Sequence, residues 1–90
     1  MSSERVKAIE ATLSDAFSPV KLMVKDQSHL HAGHEGAKAG GGHFEVTIVS
    51  QAFEGCQPLE RHRMIFSVLE SMMQTEIHAL SIRAHTPDEL

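Results

Sequence analysis

The sequence predicts an α+β domain in which two helices cover one face of a three-stranded mixed sheet, in the order helix, strand, strand, helix, strand. Three observations lead there. Val6, Ile9, Leu13 and Phe17 step by three and four residues, the spacing of a single helical face. Val20, Leu22 and Val24, then Phe44, Val46 and Ile48, then Leu80 and Ile82 alternate with mostly polar neighbours, the period of half-buried strands. Between the second and third of these runs, Leu59, His62, Ile65 or Phe66, Leu69, and Met72 or Met73 recur at helical spacing. A helix between two strands of one sheet is a crossover, so those strands run parallel with a right-handed connection. The first two strands, joined across a loop, are antiparallel.

Ser3 is placed to cap the first helix, with Glu4 near its positive end, and the helix runs from Glu4 to Phe17. Ser18-Pro19 ends it, because the residue before proline resists helical geometry. The first strand carries Lys21, Met23 and Lys25 on its polar face. Gln27 to Gly42 is a loop holding Gly33, Gly36, Gly40, Gly41 and Gly42. His43 to Ser50 is the second strand. A Phe53-Glu54-Gly55 turn follows, and Pro58 suits the first position of the second helix, where no N–H is needed. That helix continues to about Gln74-Thr75. His62 falls on its apolar stripe as a core-facing imidazole, with Arg61 and Arg63 as solvated flanks. Ile77 to Ala84 is the third strand, with His78 in the parity of Leu80 and Ile82, and Thr86 to Leu90 is a short polar tail.

Ninety residues with 41% hydrophobic and 22% charged side chains describe one ordinary globular domain spanning residues 1–90. No apolar run approaches the roughly 20 residues of a membrane span. Glu4, Arg5 and Lys7 interrupt any secretory leader, so the expected location is the cytoplasm. The single cysteine, Cys56, excludes an internal disulfide and suits a reducing compartment. A net charge of −4 speaks against binding driven by nucleic-acid phosphates, which calls for a clearly basic domain.

Seven histidines are the compositional outlier. His29, His31 and His34 sit within six residues on a glycine-rich backbone. They read either as a solvated polar loop or as imidazoles able to converge on zinc, copper, nickel or iron, although no carboxylate or cysteine completes a zinc pattern. His78, at a strand end, reads as a half-buried structural residue or as a ligand meeting a loop histidine at one sheet edge. His43 and His85 carry no argument of their own. Cys56 precedes a helix N-terminus, where thiol pKa values fall, but no base accompanies it. No Gly-x-Ser-x-Gly, His-Glu-x-x-His or phosphate loop is present, so no enzyme is expected.

Several short motifs together resemble the BolA family over nearly the whole chain. They are Ser28-His29-Leu30-His31, His43-Phe44, Phe53-Glu54-Gly55, Arg61-His62-Arg63, Ile77-His78-Ala79-Leu80 and Thr86-Pro87. The resemblance implies an α-β-β-α-β fold similar to class II KH domains. It also implies partnership with a monothiol glutaredoxin, the pair sharing a [2Fe–2S] cluster that the glutaredoxin cysteine and glutathione hold on the other side. The isolated protein would carry no cofactor and would be a monomer or weak dimer. Carried over by position, the metal ligands are His78 and His31, with His29 and His34 as loop alternatives. The implied role is iron–sulfur trafficking or iron regulation. A second role implied by the family is that of a DNA-binding regulator of stress response and cell shape, contacting DNA through Arg61, Arg63, Lys21 and Lys25.

Overall fold

Strict alternation builds the central strand. The computed structural model describes residues 2–27, 42–75 and 77–89. In it, β2 (Gly42–Val49) buries Phe44, Val46 and Ile48 on one face. β1 (Lys21–Asp26) pairs with it antiparallel, from Lys21 opposite Val49 to Asp26 opposite Phe44. β3 (Ile77–His85) pairs with it parallel, from Gly42 opposite Ile77 to Val49 opposite His85. The sheet order is therefore β1-β2-β3, and the sheet is mixed, as the crossover required.

The helices are α1 (Ser2–Phe17), α2 (Pro58–Val68) and α3 (Glu70–Met73). Ile9, Leu13 and Phe17 of α1 and Ile65 of α2 join Leu69, the inward residues of β2 and Ile77 in one buried cluster. All the helices thus lie on one face of the sheet. Phe53, in a 3-10 turn over Gln51–Phe53, is fully buried and meets the Phe17 ring at 5.0 Å between centroids. No helix of the described residues is long and apolar enough to cross a membrane.

The ends of these elements follow from local chemistry. The buried Ser50 hydroxyl donates to the Phe17 carbonyl at the end of α1 and accepts from the Ala52 N–H. It thereby satisfies one of the carbonyls that a helix C-terminus leaves without an intrahelical donor. Gly55 has φ +77°, with nothing within 4 Å of where a Cβ would stand. The turn needs glycine for its backbone angle rather than for space. The Glu60 carboxylate accepts from the Gln57 N–H at 3.2 Å, tying the first turn of α2 to the residue before Pro58.

Four details differ from the sequence reading. α1 begins at Ser2, so Ser3 lies inside the helix rather than capping it. Val20 precedes β1 and is 69% exposed, although its N–H still reaches the Val49 carbonyl at 2.9 Å. The single second helix is broken at Leu69, whose φ of −100° and ψ of 9° separate α2 from α3. The polar tail is also structured: residues Pro87–Glu89 form a 3-10 turn, and Thr86 is buried.

Burial separates apolar side chains that the sequence treats alike. Phe53→Ala is expected to cost about 3–5 kcal/mol of stability, the usual range for emptying a buried phenylalanine site. Leu59→Ala, at a position 61% exposed, should fall within about 0.5 kcal/mol of wild type. Urea denaturation of the two variants checks both values.

Candidate functional site

Ile65 of α2 and Leu69 just beyond its end are buried, as the apolar stripe requires, and Arg61, one turn before Ile65, is buried with them. Leu59 and Phe66 are exposed. His62 is only half-buried. The solvated-flank reading of Arg61 is therefore corrected, as is the core-facing reading of His62. The cause is hydrogen bonding. The Arg61 Nε donates to the Cys56 carbonyl at 2.9 Å, and one terminal nitrogen donates to the Ala84 carbonyl at 3.0 Å. The two terminal nitrogens also grip both Glu89 carboxylate oxygens, at 2.7 and 2.8 Å. A two-pronged guanidinium–carboxylate pair of this kind is among the strongest protein hydrogen bonds.

Glu89 also accepts from the Thr86 N–H at 3.0 Å. Its carboxyl is held at about 2, against an ordinary 4.5, first by the Arg61 hydrogen bond and then by the Thr86 N–H, with partial desolvation opposing both. The same bond raises Arg61 above its usual value. The clasp joins the turn before α2, the end of β3 and the final 3-10 turn. Beside it lies a groove of about 760 Å³ lined by Cys56, Pro58, His62, Ile82, Arg83 and His85. The Cys56 thiol is free and half-buried, 3.9 Å from the Met64 sulfur.

At the other end of β3 the strand register changes. Gly42 pairs with Ile77 and His43 with Ala79, so His78 is the extra residue of a β-bulge. The bulge lets Ile77 and Leu80 both reach the core while His78 is exposed. The parity argument, which turned His78 toward the apolar face, is thereby corrected: counting in twos fails across an inserted residue. His43 faces away from Phe44 and the core, and its ring lies 5.2 Å from that of His78, centroid to centroid, tilted by 49°. Sequence reasoning left His43 without a role, because the two histidines are 35 residues apart, 78 minus 43. The His43-Phe44 strand start and the Ile77-His78 strand start were visible separately; their juxtaposition depends on the parallel pairing.

The remaining candidates among the described residues are dispersed. His29, His31 and His34 lie outside the described residues. Among the described residues no three His, Cys, Asp or Glu side chains are placed to hold a metal ion together. Lys21 and Lys25 are exposed on β1, in the opposite alternation to the core-packed Leu22 and Val24, and so lie on the sheet face away from the helices. Arg63 is exposed on α2, on the helical side. The four cations proposed to contact DNA therefore share no common surface, and Arg61 spends its donors inside the protein. Arg83, exposed on β3 opposite Thr47, shares the outer sheet face with Lys21 and Lys25.

A family model described as "BolA-like protein" matches residues 13–89. "Protein BOLA1, chloroplastic" of Arabidopsis thaliana is 40% identical over 88 residues, covering 94% of this chain and 55% of that protein. The chain thus spans about half the length of that relative. The "DNA-binding transcriptional regulator BolA" of Vibrio cholerae is 40% identical over 81 residues, covering 90% of this chain and 74% of that one. Among solved structures, the "BolA domain of SufE1 from Arabidopsis thaliana" superposes with a TM-score of 0.85 at 41% identity, covering 96% of this chain and 95% of that one.

The clasp has a pH signature. Because folding lowers the Glu89 pKa from 4.5 to about 2, its contribution is fully present above pH 4.5 and is lost as pH falls toward 2. Acid titration of stability should therefore show wild type converging on Glu89→Gln across that window, with the variant weaker at pH 7. Parallel curves at all pH values would contradict the clasp.

Proposed function

This chain belongs to the BolA-like family, and on that premise we propose that it is an adaptor that binds a monothiol glutaredoxin and shares a [2Fe–2S] cluster with it, in iron–sulfur trafficking or iron regulation. The observation that carries the reading is the bulge at β3, which leaves His78 exposed at the strand start. There an imidazole is accessible to a metal centre brought by another protein. The donor suits such a centre: the His78 imidazole is a nitrogen ligand of the kind iron accepts. Nitrogen in place of thiolate raises the potential of a [2Fe–2S] centre. On the family resemblance, the second ligand comes from the loop between β1 and β2 at His31, with His29 and His34 as alternatives. The glutaredoxin cysteine and glutathione complete the set.

What the rest of the chain does follows from its own contacts. β3 is fixed at its far end by the Arg61 bond to the Ala84 carbonyl and along its length by β2, so His78 is presented by a braced strand. Ile77, buried directly before it, anchors the bulge. Nothing in this role calls for a nucleophile or a general base, and we assign no catalytic residue.

A second reading, as a DNA-binding regulator, draws on the printed name of the Vibrio cholerae relative. It ranks lower here because Arg61 is buried, Arg63 lies on the opposite side from Lys21 and Lys25, and the chain carries a net −4. A gel shift at physiological salt that showed a sequence preference would reverse that order.

The test is to mix the full chain with a monothiol glutaredoxin carrying its glutathione-bound [2Fe–2S] cluster and record visible absorption and circular dichroism. Wild type is expected to shift the spectrum and form a heterocomplex, and His78→Ala to leave the glutaredoxin spectrum unchanged. Absence of a heterocomplex with wild type would overturn the proposal.

A further inference from the structure

We propose that an extended segment of another protein, alternating apolar and acidic residues, docks as a fourth strand on the free edge of β3, in the groove beside the Arg61–Glu89 clasp. The inference goes beyond the adaptor reading, because it concerns the end of β3 away from His78 and needs no metal centre.

The sheet order β1-β2-β3 leaves no strand beyond β3 among the described residues. Which backbone groups of β3 face outward is fixed at two points. The Ser50 N–H, just past β2, donates to the His85 carbonyl at 2.9 Å, so residue 85 turns its backbone toward β2. The Ala84 carbonyl takes the Arg61 guanidinium instead, so residue 84 turns its backbone outward. Backbone groups alternate along a strand, which puts those of Ile82 and Leu80 on the free edge with Ala84. An edge of this kind is a template for another chain, and adding a peptide strand to one is a recurrent mode of recognition. Arg61 closes the edge at the Ala84 carbonyl, and the bulge interrupts it at His78. Leu80 to Ala84 is the ladder left open.

The groove gives such a strand room on its helix-covered side. Ile82 and Ala84 of β3 form one wall, and Gly55, Cys56 and Pro58 form the other. Ile82 and Ala84 pack against the core, so a residue placed opposite Ile82 enters on the same face and meets apolar surface. Its neighbour stands opposite Arg83, on the outer face of the sheet. There Met23, Thr47 and Arg83 share one row, Lys21 stands in the row on one side, and Lys25 and Glu45 stand in the row on the other. Among the described residues, three cations against one carboxylate favour an acidic side chain at that position, and opposite charges directly across two strands stabilise their pairing. Glu89 does not oppose it, since Arg61 binds both of its carboxylate oxygens. A segment that alternates apolar and acidic residues therefore matches both faces at once. A nucleic-acid strand would meet the same cations but has no peptide N–H and C=O groups to continue the ladder.

The experiment uses the full chain, without glutaredoxin or metal. The probe is a peptide with blocked ends that alternates valine and glutamate over about ten residues, the upper end of ordinary strand lengths. In an antiparallel pair, the more stable arrangement, a valine opposite Ile82 exchanges both backbone bonds with it and a glutamate stands opposite Arg83. Titration followed by backbone amide NMR should shift the Leu80, Ile82 and Ala84 amides most and slow their hydrogen exchange. Methylating the N–H of every valine removes the donors that face β3 and should abolish binding, whereas methylating every glutamate N–H should preserve it. Arg83→Glu should weaken the peptide by about fivefold or more, an attractive cross-strand pair having become a repulsive one. Arg83 is exposed, and amide spectra confirm that the variant is folded. The proposal is overturned if the peptide leaves these amides unmoved, or if the valine-methylated peptide binds as well as its parent. It is also overturned if the chain alone shifts the same amides with its own concentration, which would assign the edge to a second copy. A groove that responds to single-stranded oligothymidine and not to the peptide would assign it to nucleic acid and overturn it as well.

Discussion

A buried guanidinium must find partners for its charge and its N–H groups, and the way Arg61 does so organises one whole end of the molecule. Leaving such a group unpaired would strand a charge that has given up water without gaining a partner. Its partners come from three separate segments: the Cys56 carbonyl before α2, the Ala84 carbonyl at the end of β3, and the Glu89 carboxylate in the last turn. The same contact thus sets the rotation of α2 about its axis, the level at which β3 ends, and the path of the chain beyond it. Once Arg61 faces inward, Ile65 and Leu69 follow at four-residue steps, and Leu59 and Phe66 are turned outward.

The far end of β3 obeys a different constraint. Ile77 and Leu80 both pack on the core, yet strict alternation would send two residues three apart to opposite faces of a strand. The bulge at His78 resolves the conflict by inserting one residue between two inward ones. The resulting position is exposed, polar and pinned on both sides by packed neighbours. The two ends of one strand therefore carry different chemistry. One is a closed electrostatic clasp bordering a groove with Cys56, His62 and Arg83; the other is a pair of imidazoles at the sheet margin. Between them the outer face of the sheet carries Lys21, Lys25 and Arg83, positive charge in a chain that is acidic overall.

Much of this was legible in the residues. The alternation in β2 and β3, the three-four stepping of α1, and Pro58 at the start of α2 are local signals, and the crossover argument converts them into a mixed sheet without further information. The motifs that resemble the BolA family lie at turns and strand starts, where particular residue types are needed for backbone reasons. What was not legible has a common cause. Periodicity assumes that apolar side chains face inward and that the count is unbroken. Arg61 defeats the first assumption, because a hydrogen-bonded arginine can occupy the core side of a helix. His78 defeats the second, because a bulge adds a residue without changing composition.

By itself, then, the sequence determined the order and type of the elements, the parallel pairing of β2 with β3, and the identity of His78 as a residue to watch. Each rests on short-range chemistry: propensity, alternation, capping and turn geometry. Only the tertiary structure decided which face of α2 is buried, that the last residues close a clasp through Glu89, and that His43 stands beside His78. Those are contacts between residues far apart along the chain. Their geometry is set by how the strands register and how a buried charge is satisfied, and neither is written in the spacing of any single segment.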